Sequence, residues 1–103
     1  HGLLRITLPA EFAERVSRAD VSSMGVYEVL RKRAKVVPAR ASFSISSELP
    51  DARMAALLEI SRSSPVLSVD RITFDARDRP IERSLHYLLP EVYTLSVSVQ
   101  ARA

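Results

Sequence analysis

The chain has 103 residues, of which 47% are hydrophobic and 26% charged, and 15 basic against 12 acidic side chains give a formal net charge of +3. That length suits one domain with a real core, and that balance excludes a disordered tail. The absence of cysteine excludes disulfides and thiolate metal sites, and no apolar run approaches the roughly 20 residues needed to cross a bilayer as a helix.

Residues 3–8 (Leu-Leu-Arg-Ile-Thr-Leu) read as a first strand, after which Pro9 opens a short helix over 9–16, because proline suits the first helical turn. Residues 20–23 form a polar break offering several N-cap side chains. The next helix is predicted over 24–34, with Val26, Tyr27, Leu30 and Ala34 on one apolar stripe and Gly25 in its first turn. Residues 37–47 alternate most cleanly. Val37, Ala39, Ala41, Phe43 and Ile45 are expected on a buried face, opposite Arg40, Ser42, Ser44 and Ser46. Ser47 and Pro50 start a helix reaching about residue 60, with Met54, Leu57 and Leu58 inward.

A strand over 65–75 follows, then turn chemistry at Arg77-Asp78-Arg79-Pro80, and a second strand over 81–88. Alternation puts Glu82, Ser84 and His86 on one face of that strand and Ile81, Leu85 and Tyr87 on the other. Three hydrogen-bonding groups in a row exceed what solubility needs and mark a candidate pocket wall. A last strand is predicted over 93–100 after the bend at Pro90. The pattern β-α-α-β-α-β-β-β predicts one α+β domain, an antiparallel sheet with flanking helices. The basic cluster Arg31-Lys32-Arg33 fans around a helix end and reads as a solvated terminus rather than a nucleic-acid stripe.

Read in order, these residues resemble the UTRA effector-binding domain of HutC-subfamily GntR transcription regulators. The matching elements are Leu8-Pro9 with Phe12, then Gly25-Val26-Tyr27-Glu28-Val29-Leu30 for the family's Ser-Leu-Tyr-x-x-Leu. They continue through Pro38-Ala39-Arg40-Ala41, Leu57-Leu58 and Ser64-Pro65-Val66-Leu67 to Arg71, Asp75, Arg79-Pro80-Ile81-Glu82, Tyr87 and Tyr93. The resemblance implies a chorismate lyase-like fold of which this chain is the C-terminal, incomplete portion. It also implies a small-molecule effector, a homodimer, and DNA contact only through a winged helix-turn-helix domain absent from this chain. A cytoplasmic location, no membrane, no cofactor and no metal complete the expectation.

Effector-binding candidates are Tyr27, Glu82, Ser84 and His86, while Arg71, Asp75 and Tyr93 are assigned structural roles. For three of the first four a plainer role stays open. Tyr27 fills core, Glu82 pairs with a neighbouring arginine across the strands, and His86 is satisfied by backbone or water. Gly25 and Leu88 stand where relatives often have a serine and a pocket tyrosine, which favours a smaller or more apolar effector over a phosphorylated amino sugar. Catalysis is not expected, because Glu82 and His86 lie about 13 Å apart along one strand by standard rise. A structural domain without a working pocket and a lyase-like enzyme are the alternatives. The dimer is expected to use residues 93–100 or the strand beside them.

Overall fold

Between β3 (Val66–Phe74) and β4 (Pro80–Leu88) the chain reverses around one carboxylate. Asp75 Oδ1 accepts the backbone N–H groups of Arg77 and Arg79 at 2.9 and 3.0 Å, and Oδ2 accepts Arg79 Nε at 2.9 Å. These donors, the Arg79 N–H foremost, hold the Asp75 carboxyl below the usual carboxylate range. Asp78 completes the turn in the left-handed region at φ +60°, which its short side chain tolerates. This geometry comes from a computed structural model that describes residues 2–90, 94, 96 and 98–100.

The remaining elements are β1 (Gly2–Thr7), a 3-10 turn (Ala10–Phe12), α1 (Arg18–Met24), α2 (Val26–Lys32), β2 (Arg40–Glu48) and α3 (Ala52–Leu58). Among the described residues the strands form one sheet in the order β1-β4-β3-β2, with every neighbouring pair antiparallel. The α+β architecture is the expected one.

The helices depart from expectation for local reasons. Residues 20–23 are not a break, because Ser17 caps α1: its hydroxyl accepts the Asp20 N–H and its own N–H donates to the Asp20 carboxylate, both at 3.1 Å. Gly25, at φ +84°, ends α1 and begins α2, so the second helix starts at Val26 rather than residue 24. The helix expected over 9–16 shrinks to the 3-10 turn. In α3 the cap is Asp51, which accepts the Met54 N–H at 2.8 Å. Its buried residues are Ala55 and Leu58, and Leu57, expected inward, is 59% exposed.

Phe12, Leu30, Ala34 and Ile81 form a core cluster, with Leu8, Val16, Val26, Tyr27 and Val36 packed against it. The stripe read from α2 is therefore the face that meets the sheet. Ile81 joins this core through an irregularity. Thr73 pairs with Glu82 and Phe74 with Pro80, which leaves Ile81 without a partner. Such a β-bulge lets consecutive side chains point the same way. Ile81 and Glu82, expected on opposite faces, are both buried on the helix side.

β2 is the second correction. Its alternation predicts one buried face, yet all nine residues are exposed, Phe43 by 58% and Ile45 by 47%. Sitting at the edge of the sheet with no helix seated over it, the strand has nothing to bury against. The predicted last strand over 93–100 lies partly outside the described residues. Thr94, Ser96 and Ser98–Gln100 lie in no strand, and Tyr93, Leu95 and Val97 fall outside the described residues.

Candidate functional site

Strand register brings the chemistry to one place. Opposite partners across the sheet are Leu4, His86, Val69 and Ile45 in one row, and Ile6, Ser84, Arg71 and Phe43 in the next. Glu82, Thr73 and Ala41 form a third row, at the end covered by α2. Paired residues of adjacent strands share a face, so these rows make one mixed surface.

The third row holds a closed hydrogen-bond network. Thr73 Oγ1 donates to Glu82 Oε2 at 2.6 Å. Its proton is thereby committed, so the Tyr27 hydroxyl, 3.0 Å away, must donate to Thr73. On the other side Ser84 donates to Glu82 Oε1. Arg71 Nη2 gives hydrogen bonds to both Glu82 Oε1 at 2.8 Å and Ser84 Oγ at 3.0 Å. The Arg71 guanidinium also lies 5.0 Å from the centre of the Tyr27 ring, within cation–π reach. The Glu82 side chain is fully buried and that of Arg71 is 26% exposed. Burial of a carboxylate is tolerated here because each of its oxygens is bonded, one of them by a cation.

Arg71 has three carboxylates within sequence reach. Asp70 instead pairs with Arg83 at 2.7 Å, which holds its carboxyl below the usual range. Asp75 is held by its own turn and Arg79, so Arg71 takes Glu82.

Beside this network a cleft of about 1080 Å³ opens between the sheet and the segment from Leu8 to Val26. Arg71, Ser84 and His86 form its polar floor with Leu4, Val69 and Phe43, and Arg18, Ser17 and Ser22 face it from α1 and its cap. Among the described residues the wall carries Arg5, Arg18 and Arg71 and no aspartate or glutamate. Arg71 Nε is buried and has no hydrogen-bond partner among the described residues. An apolar body with a positive, donor-bearing wall suits an anion that also carries hydrocarbon.

The structure separates the sequence candidates into two sets. Ser84 and His86 line the cleft, whereas Tyr27 and Glu82 do not, being spent on Thr73, Arg71 and Ser84. Asp75 belongs to the turn, and Tyr93 lies outside the described residues. Sequence reasoning assigned Arg71 a structural role; it pairs with Glu82 and also lines the cleft. The parity of Val69, Arg71 and Thr73 along one strand was the available signal. Phe43 and Arg18 left none, since their position depends on the register of β2 and the placement of α1.

A family model of the UTRA domain matches residues 3–94. The HTH-type transcriptional regulator GgaR of Escherichia coli K12 is 28% identical over 76 residues, which are 72% of this chain and 30% of that protein. The effector domain of PhnF from Mycobacterium smegmatis superposes with a TM-score of 0.76 at 27% identity, covering 97% of this chain and 61% of that one. A transcriptional regulator from Streptomyces coelicolor shares the fold with a TM-score of 0.84 at 24% identity, over 99% of this chain and 67% of that one. This chain thus spans less than a third of GgaR and about three fifths of the PhnF domain. Matched along nearly its whole length, the chain belongs to the UTRA family, the domain found in GntR-family transcription regulators.

Proposed function

We propose that this chain is the effector-sensing and dimerising part of a cytoplasmic GntR-type regulator of the HutC subfamily. Its effector is a small metabolite with an anionic group and an apolar body, held in the cleft floored by Arg71, Ser84 and His86. DNA is contacted by a separate winged helix-turn-helix domain, and the chain itself catalyses nothing. The observation that carries this reading is a cleft whose described lining includes Arg5, Arg18 and Arg71 and no carboxylate. An anionic group on the ligand meets Arg71 on the sheet, and Arg18 faces the same space from α1. A ligand held by both ties α1 to the sheet and selects one arrangement of the domain, which is how binding energy reaches distant DNA readers.

Melting measured against a panel of small carboxylates and phosphate esters tests the idea. At least one should raise the midpoint in a concentration-dependent way, since mass action adds about 2.7 kcal/mol at a hundred times Kd. Its uncharged amide or ester should do nothing. A panel in which no anion shifts the melting, or in which neutral analogues work equally well, refutes it.

A further inference from the structure

Glu82 divides its two buried oxygens between unequal claimants. Thr73 stands directly opposite it across β3 and β4, while Arg71 stands opposite Ser84 and reaches Glu82 on the diagonal. Oε2 goes to the Thr73 hydroxyl at 2.6 Å, and Oε1 goes to Arg71 Nη2 at 2.8 Å. An arginine beside a carboxylate often closes a fork of two parallel N–H···O bonds, the stronger geometry for that pair. Here the second oxygen is withheld. The Tyr27 hydroxyl, 3.0 Å from Thr73 Oγ1 and donating to it, keeps the threonine proton turned toward Glu82. Among the described residues Arg71 lines the cleft, and Thr73 and Glu82 lie buried behind it.

We propose that Thr73 is a positioning residue for the effector: by holding one oxygen of Glu82 it limits that carboxylate to a single contact with Arg71, and the guanidinium keeps its hold on an anion in the cleft. This rests on the anion-binding reading above and names what sets its strength. Glu82 and the effector compete for one cation. Each bond that Arg71 gives inward is one it does not give to the cleft, and Glu82 already offsets its charge. Without the Thr73 hydroxyl, Oε2 is a buried acceptor with no donor, and that cost turns it onto Arg71. The fork then closes and the anion loses its partner. With an amide in place of the carboxylate, the oxygen still accepts from Arg71 and Ser84 and the NH2 group faces Thr73, but the opposing charge is gone. The two changes push affinity in opposite directions, which damage to packing alone would not do.

Phenyl phosphate is the probe, its dissociation constant read from concentration-dependent melting shifts at constant ionic strength. Thr73→Val should bind it about tenfold more weakly than the unmodified chain, and Glu82→Gln about threefold more tightly. Thr73→Ser restores the hydroxyl and should bind as the unmodified chain does. A second readout needs no ligand. In the nitrogen–proton spectrum of the guanidinium groups, Arg71 is identified by its loss in Arg71→Lys. One further Arg71 proton should exchange with water about tenfold more slowly in Thr73→Val, and not in Thr73→Ser. Undiminished affinity in Thr73→Val, or affinity in Glu82→Gln no higher than in the unmodified chain, overturns the proposal. So does an Arg71 signal that Thr73→Val leaves unchanged. If Thr73→Val does not unfold cooperatively in urea, Glu82→Gln decides alone. If phenyl phosphate gives no shift with the unmodified chain, the anion panel judges the cleft reading, and the guanidinium spectra decide this one.

Discussion

β4 and β2 carry nearly the same message in sequence, an alternation of polar and apolar residues, and meet opposite fates. β4 lies inside the sheet under the helices, and its polar alternates Glu82 and Ser84 are buried in a bonded network. β2 lies at the rim, and its apolar alternates Phe43 and Ile45 are left in the open. Alternation says that a strand has two unlike faces. What each face meets depends on the neighbouring strands and on whatever lies over them. In β4 the polar face became the interior because a cation and two hydroxyls arrived with the carboxylate. In β2 the apolar face gained no cover from this chain, and its chemistry points outward.

The largest contrast is expected from Glu82→Ala. It strands the Arg71 guanidinium beside a cavity and leaves Thr73 without its acceptor, costing about 3 kcal/mol in urea unfolding. A cost below that of an ordinary surface change would mean that the buried end of the sheet is no more demanding than the rim.

Next in size is the acid sensitivity of the turn before β4. The folded chain holds Asp75 below its unfolded value of about 3.9, so its contribution is present above that pH and lost as pH falls through the lower folded value. The unfolded chain binds the extra proton in that window, so stability should rise with pH there. Asp75→Asn should flatten this part of a pH series of urea midpoints. An unchanged slope would place the acid sensitivity elsewhere.

The smallest effect is expected from Ile45→Ser. It should move urea unfolding by no more than about 0.5 kcal/mol, as for other exposed sites. A loss as large as that from Glu82→Ala would show that β2 is part of the core after all.

Much of the architecture was readable because it is local. The turn at Asp75, the apolar stripe of α2 and the shared face of Glu82, Ser84 and His86 need only short-range rules. The bulge was not readable. Whether Ile81 takes a partner or is skipped depends on the core formed by Phe12 and Leu30, far away in sequence. The choice of Glu82 by Arg71 over Asp70 and Asp75 is a competition settled by Arg83 and by the turn, which alternation alone does not rank. The cap of α1 is Ser17 rather than a side chain of residues 20–23, and a serine followed three residues later by an acid is its signal in the sequence.

Gly25 has a consequence for how the cleft is shaped. Its dihedral angles are ones that L side chains rarely adopt, yet nothing lies within 4 Å of where a Cβ would stand. A bulkier residue there would meet torsional resistance alone, with no neighbour to collide with. On one side of this swivel stands α1, bearing Arg18, Val21 and Ser22 on the cleft wall. On the other stands α2, moored through Tyr27 to Thr73. The tilt of that wall against its mooring is set by the two torsions of Gly25 and by the Asp20–Arg33 ion pair at 3.8 Å.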